Sequence, residues 1–150
     1  MGAILAVFGE AGDQELPERL EKMIAVSPYR GTAERILAPG AAMAIQTLGW
    51  DASIANVGDL VVAFHGFIGN WDELAPALGL RFADDASNAE RLGVAFESVG
   101  ERLFAQVRGK FAFVILDRRS GLVTAARDVY GVRPLFVHRH GNRTNLPSEQ

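Results

Sequence analysis

Few residues in this 150-residue chain are of types that do chemistry on their own, and their spacing narrows what that chemistry is. There is no cysteine, which removes thiol nucleophiles, thiolate metal sites and disulfides in one step. His138 and His140 alternate along an expected strand and so share a face, as two metal ligands would. With no third histidine or carboxylate nearby the set is incomplete, and no metal site is expected. His65 opens the segment His65-Gly66-Phe67-Ile68-Gly69, which lacks the Walker lysine and the dinucleotide glycine pattern, so it is not a phosphate loop. For His65 the plain reading is a half-buried histidine packing a loop. For Arg30, Gly31 and Gly66 it is loop geometry, with ligand contact as the alternative. Arg127 and Asp128 are adjacent, placed to pair locally or to anchor a loop end.

The elements that must position these residues are legible as apolar periodicities. Ala3 to Phe8 reads as a strand and Gly9 to Asp13 as a turn. Glu15 to Val26 places Leu16, Leu20, Met23 and Ile24 on one face, the spacing of an amphipathic helix. Tyr29 to Thr32 is a loop, Ala41 to Thr47 a second apolar stretch, and Leu60 to Phe64 a further strand that ends at the His65–Gly69 loop. Asn70 with Glu73, and Ser87 with Glu90, have the spacing of capping boxes that start two helices. Residues 109–136, GKFAFVILDRRSGLVTAARDVYGVRPLF, form a hairpin: Phe111–Leu116, a turn over Asp117–Gly121, then Leu122–Ala126. Gly131 and Pro134 fix the path of the tail behind it. The last ten residues are polar and are expected to fray.

Composition bounds the rest. The length fits one domain with a real core. Hydrophobic residues make up 49% and charged residues 22%, and the formal charge of −3 implies no attraction to nucleic acid or anionic membrane. No apolar run is long enough to span a bilayer, so a cytoplasmic protein is expected. Strands first, helices in the middle and strands at the end argue an α+β fold.

The hairpin and its tail resemble the FAF…D…L…ARD..G..PL signature of the class II glutamine amidotransferase domain, found at the N-terminus of asparagine synthetases. The resemblance covers nearly the whole chain. The family's Met-Cys-Gly-Ile start falls on Met1-Gly2-Ala3-Ile4, and its His-Arg-Gly-Pro-Asp loop on Tyr29-Arg30-Gly31-Thr32-Ala33. Its Arg-Leu-Ala-Ile segment falls on Ala42-Met43-Ala44-Ile45, its Asn-Gly-Glu-Ile-x-Asn loop on residues 65–70, and its Ser-Asp-Thr-Glu turn on Ser87-Asn88-Ala89-Glu90. The resemblance implies an N-terminal nucleophile hydrolase fold: a four-layer αββα sandwich of two largely antiparallel sheets flanked by helices.

It also implies a site whose functional residues have been replaced. In the family a cysteine thiol, freed by loss of the initiator Met, attacks the glutamine side-chain amide with its own α-amine as base. Gly2 occupies that position and has no attacking atom, and no serine or threonine stands beside it in the chain. Ala42 falls where an arginine grips the glutamine carboxylate, and Asn88 where an aspartate receives the α-ammonium. His65 takes the place of the oxyanion-hole asparagine, while Gly66 keeps the backbone donor. No catalytic residue is therefore assigned, and Arg30, Gly31, Ala42, His65, Gly66 and Asn88 are the residual glutamine-pocket positions.

The resemblance implies an inactive glutaminase-like domain of an asparagine synthetase-like, ATP-dependent enzyme that forms amides, such as a lasso peptide cyclase or β-lactam synthetase. Such an enzyme draws its amine from its own substrate and needs no ammonia. The chain holds no SGG-x-DS pyrophosphate loop, so ATP and Mg are expected only in a synthetase domain or subunit, the implied partner. Family members are still completing this domain near Ser148-Glu149, so either a truncated domain or a stand-alone copy is expected. The alternatives are a stand-alone, non-catalytic binding domain and an amidotransferase with a rearranged nucleophile. The oligomeric state is left open.

Overall fold

The computed structural model describes residues 2–149. Two antiparallel sheets lie face to face. The first is ordered β2-β3-β1-β9-β8, from strands β1 (Ala3–Phe8), β2 (Thr32–Ala38), β3 (Ala41–Thr47), β8 (His138–His140) and β9 (Arg143–Pro147). The second is ordered β4-β5-β6-β7, from β4 (Ala52–Val57), β5 (Leu60–Ile68), β6 (Gly109–Asp117) and β7 (Val123–Arg127). Helix α1 (Leu16–Val26) covers the outer face of the first sheet. Helices α2 (Trp71–Ala77) and α3 (Asn88–Val99) cover the outer face of the second. The expected α+β layering of helix, sheet, sheet and helices is what the chain adopts.

Alternation along the strands builds three apolar layers. Ile4, Ala6, Met43 and Ile45 point inward to meet Val61, Ala63, Ala112 and Val114 between the sheets. Leu5, Val7, Ala42 and Ala44 point outward to Leu16 and Leu20 of α1. Val62, Phe64, Phe113 and Ile115 point outward to Leu92, Ala95 and Leu103 on the helical side. With both faces covered, β1, β3, β5 and β6 lose the polar–apolar alternation of a half-exposed strand and read as continuous apolar runs.

Several local expectations are corrected. His65 to Ile68 is not loop: β5 runs through it, and His65, Gly66 and Ile68 pair with Ala112, Phe111 and Gly109 of β6. Ser87 and Glu90 form the full capping box, but Asn70 makes no side-chain cap. Its amide instead ties α2 to the 106–108 segment, accepting from Arg108 N (2.8 Å) and donating to Gln106 O (2.9 Å). A separate 3-10 segment, Gly100–Ala105, follows α3 and holds Leu103 and Phe104. The tail does not fray over residues 143–149. β9 pairs with both β1 and β8, Leu146 is 3% exposed, and Ser148 exchanges hydrogen bonds with Ile4. Gln150 lies outside the described residues. β2 and β4, which had no strand signal of their own, pair along the edges of β3 and β5.

Candidate functional site

The site is built where β1 begins, β3 ends and β5 runs out toward its C-terminal end. Gly2 sits there as the residue before β1. Its N–H donates to Asp51 Oδ2 (2.8 Å), and its carbonyl accepts from Arg30 Nη1 (2.8 Å). A Cβ at this position would lie 2.8 Å from the Ala52 methyl, 3.0 Å from Asp51 Oδ1 and 3.2 Å from the Gln46 carbonyl. Asp51, in the turn before β4, is the centre of the cluster. The Thr47 hydroxyl lies 2.8 Å from its Oδ1, His65 Nε2 lies 3.5 Å from its Oδ2, and its backbone carbonyl accepts from Gly66 N–H at 2.6 Å. Burial pushes the Asp51 carboxyl up, but the Gly2 and Thr47 hydrogen bonds and the nearby His65 outweigh it and hold it below the usual range.

His65 is 2% exposed, and neither ring nitrogen has a hydrogen-bond partner within normal reach. Its pKa is lowered to about 4 by burial and by the nearby positive charge of Arg133, against the pull of Asp51. At neutral pH it is an uncharged, packed imidazole. The Gly66 N–H continues the β4–β5 ladder and is engaged by Asp51. Gly66 has φ +106°, and any Cβ there would collide with the Lys110 carbonyl. Gly31, at φ +98°, would collide likewise with the Thr47 carbonyl. Both glycines are required by backbone approach alone.

Arg30 is 9% exposed and holds a structural junction. Besides the Gly2 carbonyl it binds Glu149, which also accepts from Ser27 Oγ (2.6 Å) and Tyr29 Oη (2.8 Å). The Ser27, Arg30 and Tyr29 hydrogen bonds lower the Glu149 pKa to about 2.

The cluster thus brings together Gly2, Arg30, Gly31, His65 and Gly66. Asn88 is the first residue of α3, where its side-chain Oδ1 accepts from the Trp71 indole N–H (3.3 Å). It lines an open groove of about 430 Å³ with Trp50 and Ala52, so Ala52 is the wall common to that groove and to the Gly2 corner. Ala42 is not brought to the site. It pairs with Val7, five residues along β1 from Gly2 and roughly 17 Å away at strand rise. It also faces α1 rather than the space between the sheets. The inward-facing residue at the Gly2 end of β3 is Thr47.

Sequence reasoning missed Asp51, Thr47 and Glu149. Asp51 carries no motif, Thr47 becomes a neighbour of Gly2 only through the β1–β3 register, and Glu149 lay in the expected frayed tail. A threonine does stand beside Gly2 in space, though not in the chain. Its hydroxyl donates to a carboxylate of depressed pKa, a weak base, while His65 approaches the other carboxylate oxygen. Arg127 and Asp128 do not pair; Asp128 anchors the tail, accepting from the backbone N–H groups of Phe111, Tyr130, Val132 and Arg133. His138 and His140 lie exposed on the edge strand β8.

Comparison with known proteins bears on this geometry. A family model described as a glutamine amidotransferase domain matches residues 49–150, a span that holds His65, Gly66 and Asn88. The chain is 37% identical over 78 residues to asparagine synthetase [glutamine-hydrolyzing] 2 of Oryza sativa subsp. japonica, covering 52% of this chain and 13% of that protein. It is 35% identical over 78 residues to the asparagine synthetases [glutamine-hydrolyzing] of Sandersonia aurantiaca and Zea mays, covering 52% of this chain and 15% and 13% of theirs. The chain spans less than a fifth of the length of these relatives.

Proposed function

The chain belongs to the glutamine amidotransferase domain family, and on that premise we propose that it keeps the scaffold without the glutaminase reaction. Its role is then structural: a docking domain for a synthetase domain or subunit of an asparagine synthetase-like enzyme that forms amides with ATP. The observation that carries this reading is the closed Gly2 corner. The position that would hold a nucleophile has no side chain and no room for one, with Ala52 and Asp51 packed against it. Two further features support it. The Gly66 N–H, the donor an oxyanion hole would use, is engaged by the Asp51 carbonyl. His65 beside it is neutral and buried.

A parent enzyme that takes its amine from its own substrate, as lasso peptide cyclases and β-lactam synthetases do, needs no ammonia supply and tolerates these losses. ATP and Mg belong, on this reading, to the synthetase partner. No helix among the described residues is long and apolar enough to cross a membrane, and a cytoplasmic setting is part of the proposal.

Ammonia release from glutamine tests the reading. The wild-type chain, Gly2→Cys and Gly2→Cys combined with Ala52→Gly, which relieves the 2.8 Å clash, are all expected to release none above background. Turnover by the wild type that Thr47→Ala abolishes would overturn the proposal in favour of a rearranged nucleophile. Turnover by the double variant alone would mean that the substrate pocket survives and that only the nucleophile position is lost.

A further inference from the structure

The two sheets have four outer strands, β2, β4, β7 and β8. Native edges are kept from pairing with another chain by charged side chains, prolines or bulges. β2, β7 and β8 each carry an arginine: Arg35, Arg127 and Arg139. β4 carries no charged residue and no proline, and its register with β5 runs from Ala52 to Val57 without a bulge.

The outer edge of β4 is unpaired. The Asp51 carbonyl accepts from Gly66 N–H, so Asp51 and every second residue after it turn their backbone groups toward β5. Ala52, Ile54 and Asn56 turn theirs the other way. Among the described residues, none of those N–H and C=O groups has a hydrogen-bond partner. An open groove of about 520 Å³ runs along this edge, with Ile36 of β2 on one side and Glu90 of α3 on the other. It shares Ala52 and Ser53 with the groove at Asn88. The two ends differ in charge. Arg91, whose guanidinium lies 5.7 Å over the Phe82 ring and makes no ion pair among the described residues, borders the Ala52–Ser53 end. Glu90 borders the Asn56–Val57 end, where Arg81 and Asp85 offset each other.

We propose that the free edge of β4 is a docking site for an extended segment of a partner protein, which adds as a fifth strand to the second sheet. The segment runs antiparallel to β4, as every other paired strand in both sheets does. It carries apolar residues opposite Ala52, Ile54 and Asn56, on the face where Ile54 and Ile36 pack. Charge complementarity sets its polarity: an acid at the Arg91 end and a base at the Glu90 end. The inference goes beyond the docking reading by placing a contact and its mode, and it stands whether or not the domain hydrolyses glutamine.

The probe is the capped peptide Lys-Val-Thr-Val-Asp-Val, whose valines fall opposite Asn56, Ile54 and Ala52. Its binding is followed by NMR on the full chain. Saturable shifts are expected along β4, and hydrogen exchange should slow at the amides of Ala52, Ile54 and Asn56. Ser53 and Ala55, already held by β5, should not change. N-methylation of the central valine, whose N–H faces β4, should weaken binding about tenfold. N-methylation of the threonine, whose N–H faces away, should not. Exchanging the lysine and the aspartate should weaken binding severalfold, and Arg91→Glu should reverse that preference. Asn56→Pro removes one outward N–H at an exposed edge position, where proline is tolerated. It should weaken binding as N-methylation does, with the spectrum away from β4 unchanged. No slowing at the three amides, equal loss on methylating valine and threonine, or equal binding of the exchanged peptide would each overturn the proposal.

Discussion

At the scale of single residues, His65 is the group whose chemistry is most altered by its surroundings. Its folded pKa of about 4 lies below the 6.5 of an ordinary histidine, through burial first and the positive charge of Arg133 second. Arg30 adds repulsion, and Asp51 is the one group pulling the other way. Between those two values the unfolded chain binds a proton that the folded chain does not. Stability therefore falls as pH drops from 6.5 toward 4, by roughly 1–2 kcal/mol between pH 6.5 and 5. Urea unfolding at the two pH values is expected to show this loss in the wild type and not in His65→Phe. An equal loss in both proteins would place the acid sensitivity elsewhere. The sequence reading was a half-buried histidine packing a loop, and the structure buries it fully. What could not be read was its strand setting, because a His-Gly pair between apolar runs looks like a break until β6 is seen pairing through it.

At the scale of elements, the hairpin β6–β7 and its tail show why some of the fold was readable and some was not. Local signals were sufficient for the hairpin. Nine-residue β6, the Asp117–Gly121 reversal and β7 are set by apolar runs and turn chemistry within one stretch of chain. The capping box of α3 was readable for the same reason. The edge strands β2 and β4 were not, since each is held by a partner and has only one well-buried residue or none. Ala42 was misplaced for a related reason: in an alanine-rich strand only the pairing register tells which residue reaches the site. The tail after β7 is held by Asp128, 5% exposed, whose carboxylate gathers four backbone N–H groups. Burial opposes its ionisation, but the Val132, Arg133, Phe111 and Tyr130 donors prevail and keep its pKa below the usual range. Asp128→Ala orphans those donors and is expected to cost about 2–3 kcal/mol. Amide exchange should accelerate first at Tyr130, Val132 and Arg133. Asp128→Asn, which keeps an acceptor, should cost less; equal costs would mean that the charge and the hydrogen bonds play no part.

At the scale of the whole molecule, the first sheet is completed by joining the two ends of the described chain. β9 lies between β1 and β8, so β1 is flanked by a strand more than a hundred positions later in the sequence. The junction is fastened by Ser148, through its exchange with Ile4, and by Glu149, which gathers Ser27, Tyr29 and Arg30. No local pattern announces such a junction. Its polar residues look like a solvated tail, and their partners lie more than a hundred positions away. Arg30 links the same junction to the Gly2 carbonyl, so the Gly2 corner and the closure of the sheet share one side chain. That coupling gives Arg30 a structural role in the fold. Glu149→Gln is then expected to destabilise the whole domain rather than fray its end. The loss near neutral pH should be about 1–2 kcal/mol, reduced from the full pKa shift because the side chain is partly exposed. For a chain of this size that lowers the thermal midpoint by roughly 2–8 °C. A carboxylate whose folded pKa is about 2 stabilises fully above its unfolded value near 4.5, and the contribution is lost as pH falls through 2. The midpoint difference between wild type and Glu149→Gln should thus be constant above about pH 5 and close as pH falls from 4.5 to 2. A difference that persists unchanged at pH 2 would show that the glutamine acts through packing and not through the lost charge. No difference at neutral pH would show that the sheet closes without this pair.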